Sequence, residues 1–255
     1  MLSFLGRALG ALGAAALTLR YGLGLYAWRV ANGLEKPTYM VVEKLGHGVE
    51  LRKYNEFSIA EVTFKRPPTM QTATKAGFRK CAGYIFGKNR RRGGGRGAAA
   101  EKMAMTSPVR MEYVQQEQRQ QQSEGGTEEP TPEEVKISFV MASNYSLGSL
   151  PVPQDSDVKL RTVPAHFVAA VAFRGRPPSE ATIERKRSVV LEALAKRQQR
   201  KEAEQAAKLS KPRTTASIQP QQERKALVYG YHDPFITPNL LRRNEVAVMV
   251  NVKGI

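Results

Sequence analysis

Val49-Glu-Leu-Arg-Lys-Tyr-Asn-Glu-Phe-Ser-Ile-Ala-Glu-Val-Thr-Phe64 aligns without gaps on Val158-Lys-Leu-Arg-Thr-Val-Pro-Ala-His-Phe-Val-Ala-Ala-Val-Ala-Phe173. Val49, Leu51, Arg52, Ala60, Val62 and Phe64 recur as Val158, Leu160, Arg161, Ala169, Val171 and Phe173. The last three positions of each copy alternate, so they share one face of a strand. Each copy then runs into proline and a helical stretch. Each helix gives way to further strands, ending near Thr106-Ser-Pro108 in one copy and Thr237-Pro238 in the other. The chain therefore reads as two β-α-β-β units. One unit alone would leave an apolar sheet face bare, so the two must share a core.

Outward from the repeat, strands are expected at Tyr39 to Lys44, Val49 to Tyr54, Ser58 to Phe64, Lys102 to Val114 and Lys136 to Met141. The second half supplies Lys159 to Val163, Phe167 to Phe173, Ala226 to Tyr231 and Glu245 to Val252. A first helix is expected over Gln71 to Phe86, with Thr74, Phe78, Cys81 and Ile85 at inward-facing spacing. A second follows Pro178, capped by Ser179, with Ile183, Val190, Leu191 and Leu194 facing in. Beyond Leu194 the helix is polar all round and is expected to project into solvent or touch a protein partner over residues 195–210.

Of the 255 residues, 41% are apolar, ordinary for a folded domain. Flexible insertions are expected at about 88–100, 115–135 and 198–225, where Arg, Gly, Gln, Glu and Pro leave no apolar periodicity. The single cysteine, Cys81, excludes an intramolecular disulfide framework and a Cys-rich metal site. No nucleophile elbow, phosphate loop, His-Glu-x-x-His or dinucleotide glycine fingerprint is present, so the sequence gives no support for an enzyme.

Residues 1–36 stand apart from the domain over 37–255. Residues 1–34 contain no acidic residue and are rich in Leu, Ala and Gly. Ala8 to Trp28 is long enough to span a bilayer, with Arg20 inside it. A membrane anchor and an organelle transit peptide fit this composition equally, with a secretory signal and a soluble core helix as alternatives. The expected location is membrane-associated or organellar, in a plastid or mitochondrion, or else the secretory pathway.

Five segments carry a family resemblance. They are Gly77-Phe-Arg-Lys-Cys-Ala-Gly-Tyr-Ile-Phe-Gly-Lys-Asn89, Glu101-Lys-Met-Ala-Met-Thr-Ser-Pro-Val109, Phe139-Val-Met-Ala-Ser-Asn-Tyr-Ser-Leu147, Tyr231-His-Asp-Pro-Phe-Ile-Thr-Pro238 and Leu241-Arg-Arg-Asn-Glu-Val246. In this order they resemble the SOUL family of haem-binding proteins. The resemblance implies an α+β fold, a distorted antiparallel β-barrel of two pseudo-repeated β-α-β-β halves with two flanking helices. It also implies non-catalytic binding of haem or another tetrapyrrole in a shallow cleft, as a carrier or buffer in transport. Carried over, the first helix presents Phe78, Ala82 and Phe86 as the wall, with Lys75 and Arg79 for the propionates and Tyr229 or Tyr231 contributing from the other side. Read from the residues alone, Phe78 fits a core position equally well, with the cations solvated.

No axial ligand is expected. One branch of the family has a second-strand His, and the matching position here is Lys53. His47 lies in a Gly-His-Gly turn, His232 precedes Asp-Pro in a loop, and His166 aligns with Phe57 and points inward. Met103, Met105 and Cys81 are read as packing residues. The net charge of +17 and the Arg90-Arg-Arg-Gly-Gly-Gly-Arg96 tract suggest a rival, a basic binder of RNA or of anionic membrane surfaces. The scarcity of aromatics there argues against nucleic acid. A third reading is a scaffold or assembly subunit.

Overall fold

The two copies of the repeat pair with each other, and this exchange organises the molecule. The computed structural model describes residues 2–93, 99–114, 132–207, 218–220 and 225–252. In the first half, β1 (Tyr39–Gly46), β2 (Val49–Tyr54) and β3 (Phe57–Lys65) lead into helix α2 (Met70–Ile85), the short β4 (Asn89–Arg90), β5 (Val109–Val114) and β6 (Glu134–Val140). After β7 (Val152–Pro153) the second half runs β8 (Lys159–Val163), β9 (His166–Arg174), α3 (Glu180–Ala207), β10 (Ile218–Pro220), β11 (Lys225–Gly230) and β12 (Arg243–Val252). Helix α1 (Leu2–Gly33) precedes them.

The main sheet is antiparallel, in the order β1-β2-β9-β12-β11-β5-β6-β3-β8, with β10 on β12. The order from β2 to β8 is symmetric about the β5–β11 pair. Each half's leading strand crosses over, so that β2 pairs with β9 and β8 with β3. The registers match as well. Tyr54 opposes His166, and in the other half Val163 opposes Phe57, which are equivalent positions of the repeat. The fold is α+β, an antiparallel sheet curled into an open, distorted barrel with α2 and α3 laid on one face.

Period-two alternation divides the sheet cleanly. Val49, Leu51, Val171, Val228, Val246 and Val248 face α3, and Ala60, Val62 and Phe139 face α2, making two apolar clusters under the helices. The opposite face carries Tyr54, Leu227, Tyr229, Tyr231 and Ala247, and with them the buried charges Arg52, Glu61, Arg110, Glu112 and Glu245.

Three expectations need correction. The strand expected over Lys102 to Val114 starts only at Val109. Upstream, the backbone is bonded elsewhere: Met103 N donates to Ile85 O, Glu101 is clamped by the Asn89 amide, and Ser107 N donates to Glu35 O. The inner stripe of α2 is rotated from the expected one. Its buried residues are Met70, Ala73, Gly77, Cys81, Tyr84 and Ile85, while Phe78 faces out. The cause is Gly77, where an added Cβ would lie 2.6 Å from Ile137 Cβ, so the helix makes its closest approach to the sheet there. Finally, the polar end of α3 does not simply project. Arg197 and Arg200 both reach Glu43 on β1. Parts of the expected insertions, at 94–98, 115–131, 208–217 and 221–224, lie outside the described residues.

Candidate functional site

Thr69 starts α2 by accepting from Thr72 N, and Phe86 ends it with its own N–H on Ala82 O. Between these caps the helix has two apolar faces. One is in the core. The other places Phe78, Ala82 and Phe86 a turn apart at i, i+4 spacing. Phe78 is 37% exposed and Phe86 56%, with Ala82 partly buried between them. The Phe78 ring is anchored edge-on against Phe139, centroids 5.2 Å apart, which fixes its orientation.

Lys75 and Arg79 are exposed on the same side and make no ion pair among the described residues. Lys80 is different: its Nζ lies 2.8 Å from both Asp155 and Asp157, so its charge is spent. An apolar stripe beside two uncommitted cations suits a flat apolar ring that carries carboxylates.

Tyr229 and Tyr231 do not join this group. Both are buried on the opposite face of the sheet, so neither can close on a ligand lying against α2. Tyr231 Oη donates to Glu245 Oε2 at 2.9 Å, under the Arg243 guanidinium. Tyr229 is register partner of Arg110. Burial above all drives both phenols upward from their ordinary value, with the Glu245 charge adding to it. They are structural parts of a buried polar network, and the expectation that they stack on a ligand is corrected.

That network escaped the sequence reading. Arg52 Nη1 donates to Glu245 Oε2 at 2.8 Å, and Nη2 to Oε1 at 3.2 Å, with both side chains essentially out of solvent. Across the sheet, Glu61 accepts from Ser138 Oγ and from the Arg161 fork. Arg110 donates to Glu112. For Glu245 burial is the largest influence and opposes ionisation. Hydrogen bonds and charge from Arg52 and Arg243 outweigh it and hold the carboxyl below the usual range.

A concavity, also missed, lies where residues 35–38 meet the β2–β3 turn and the 140–147 segment. Its volume is about 560 Å³ and its lining includes Phe57, Met141, Tyr145, Glu35, Glu56 and Lys36. Lys36 is occupied, since its Nζ donates to Asn32 O and Leu34 O at the end of α1. Two carboxylates and one spent cation make this cavity a poor receptor for a dicarboxylate.

Among the described residues no cluster of three or more His, Cys, Asp or Glu residues could hold a metal ion. His47 sits exposed at the β1–β2 turn with φ of 50°. His166 stacks on Tyr54 with its Nδ1 2.8 Å from Pro164 O. His232 accepts from Arg243 N. Cys81 is fully buried, its thiol pushed up to about 12 chiefly by burial. Met103 and Met105 pack on the cluster beneath α2. Lys53 is exposed, its Nζ 5.6 Å from the centre of the Phe167 ring. In the arginine tract, Arg91 pairs with Glu101 and Arg92 holds Leu150 O, while residues 94–98 lie outside the described residues.

With that geometry in place, residues 34–249 match the family described as SOUL heme-binding protein. The chain belongs to the SOUL heme-binding protein family. Binding of haem or a related tetrapyrrole is therefore its family property. No curated protein matches the chain. Among solved structures, this SOUL protein is similar to the C-terminal domain of EcmrR, at 10% identity over 84% of this chain and 98% of that one, with a TM-score of 0.46. It is also similar to a hydrolase from Listeria innocua, at 12% identity over 86% of this chain and 93% of that one, with a TM-score of 0.40. At such distances neither informs function.

Proposed function

We propose that this SOUL protein binds haem or another tetrapyrrole without catalysing a reaction, as a carrier or buffer, on the exposed face of α2. The observation that carries the reading is the Phe78–Ala82–Phe86 stripe beside Lys75 and Arg79, two cations with no acidic partner among the described residues. Phe78 and Phe86 would meet the ring face, and Lys75 and Arg79 the propionates. When bound, the tetrapyrrole supplies the pigment and any redox chemistry; the chain contributes orientation and charge. No residue on this face is a strong axial ligand, so the ring rather than the iron should dominate recognition. We further propose that the acid-free N-terminal segment associates the protein with a membrane, in an organelle.

The test is a titration of the full chain with haemin and with metal-free porphyrin, followed by absorbance. Saturable one-to-one binding of both is expected. Lys75→Glu with Arg79→Glu should weaken binding by about tenfold or more, with the melting temperature unchanged. Unaltered affinity in that double variant would remove the propionate site. Binding of neither pigment would overturn the carrier reading.

A further inference from the structure

The loop between β11 and β12 is built to hold large apolar side chains in water. Asp233 Oδ1 accepts from both Phe235 N and Ile236 N, at 2.7 and 2.8 Å. Arg242 Nε donates to Thr237 O, and Arg174 Nη1 to Leu240 O. Pro238 starts a turn of 3₁₀ helix over Asn239–Leu241. Four side-chain hydrogen bonds thus fix the backbone, yet Phe235 is 69% exposed and Leu240 81%. A rigid loop that spends its polar groups on itself and presents apolar tips is shaped for a surface that takes them up.

Helix α1 completes the patch. Gly24 is buried against this loop, where a Cβ would lie 2.8 Å from Pro238 Cδ and 3.0 Å from Ile236 O, so helix and loop form one continuous surface. From Leu17 onward the helix exposes Leu19, Tyr21, Leu23, Leu25 and Tyr26 around most of its circumference. An apolar helix with so little protein cover needs another apolar environment. Among the described residues no helix is long and apolar enough to cross a membrane, and Arg20 and Arg29 punctuate α1.

The rim of the patch is basic. Arg20, Arg174 and Arg176 are exposed beside the half-buried Arg242. The Arg242 guanidinium is held below its ordinary value by partial burial first; Asp233 opposes this, and the neighbouring charges of Arg176 and Arg20 add to it. Asp233 is the acid facing this group, and its carboxylate is already engaged by the loop backbone.

Apolar tips ringed by arginines match the headgroup boundary of an anionic leaflet. We propose that α1 and the 235–240 loop form a single face that docks on an anionic lipid bilayer, with Phe235 and Leu240 entering the acyl boundary and Arg20, Arg176 and Arg242 meeting lipid phosphates. This rests on the membrane association proposed above and adds the loop as a necessary half of the contact.

The experiment is co-sedimentation of the full chain with phosphatidylcholine vesicles, with and without phosphatidylserine, at low and high salt. Wild type should bind the phosphatidylserine vesicles more tightly, and salt should weaken that binding. Phe235→Asp with Leu240→Asp should lower the partition coefficient at least about tenfold, and Arg176→Glu should remove about fivefold of the phosphatidylserine preference alone. All three side chains are exposed, so the thermal melt should be unchanged. Wild-type binding with the loop variant unaffected would leave α1 as sole anchor and overturn this proposal while membrane association stands. Failure of wild type to bind any vesicle would overturn both. Concentration-dependent self-association without vesicle binding would assign the face to a second copy of the chain, and would also overturn it.

Discussion

α2 and α3 occupy equivalent places over the two halves of one sheet, yet they leave different surfaces behind. α2 closes on β6 at Gly77 and turns Phe78 and Phe86 outward. α3 continues past its half and is tied by Arg197 and Arg200 to Glu43 on β1. The opposite face of the sheet shows the same divergence. Arg52 and Arg161 are equivalent in the repeat and each forks onto a glutamate, but Arg52 is 2% exposed and Arg161 39%. The cause is β1. It covers the edge of β2 and brings the Tyr39 ring to 4.6 Å from Arg52, whereas β8 has no strand outside it among the described residues. The repeat sets the architecture, and one added strand decides which half is sealed and which keeps open surfaces.

The sharpest way to break that comparison is to remove each arginine in turn. Arg52→Ala strands Glu245 as a buried, under-compensated charge and should cost about 3–5 kcal/mol in chemical denaturation. Arg161→Ala, at the open edge, leaves Glu61 with Ser138 and Arg110 still beside it and should cost less, about 1–2 kcal/mol. Equal losses would mean that β1 does not seal its half.

A smaller effect tests why α2 presents its phenylalanines. Gly77→Ala forces a Cβ into Ile137 and should destabilise by about 1–3 kcal/mol despite the gain in helix propensity. Gly83→Ala meets only the flexible Lys88 stem, 3.0 Å away, and should be neutral or stabilise by up to about 1 kcal/mol. If the two behave alike in a thermal melt, close approach at Gly77 is not what orients the helix.

Acid titration should show the weakest contrast. Glu245 is held below its ordinary value of 4.5 in the folded state, so its stabilisation is fully present above that value. It is lost as pH falls through the depressed one. Glu245→Gln should therefore lower stability near neutrality and flatten the decline in urea midpoint between about pH 6 and about pH 3. A variant with an unchanged acid slope would place the acid sensitivity elsewhere, as at Glu112, a second buried carboxyl held low, there against burial by the charges of Arg110, Lys225 and Lys136.

Much of this was legible in the chain. Val62, Phe64, Val171 and Phe173 carry a period of two, and pairing geometry converts that into strands whose faces are fixed. The helix cap at Ser179 was equally plain, because a serine hydroxyl at that place accepts from Thr182 N whatever surrounds it. The outward turn of Phe78 was not. Spacing allows a residue at the edge of a helix stripe to face either way, and the choice fell to Gly77, whose missing Cβ permits contact with a strand some 60 residues on. Tyr229 and Tyr231 went to the wrong face for a related reason: alternation says which residues share a side, not which side the helices cover.

The buried charges make the same point more strongly. Arg52, Glu61, Arg110, Glu112 and Glu245 alternate with apolar neighbours, a pattern that ordinarily marks the solvent face of a strand. Local alternation determined the strands and the repeat determined their kinship, while Phe78, Ala82 and Phe86 were named as a wall by the family resemblance. Only the curl of the sheet decided that the polar side would be enclosed, pairing Arg52 with a glutamate 193 residues away. Burial is a property of how surfaces close on one another, and no window of sequence contains both surfaces.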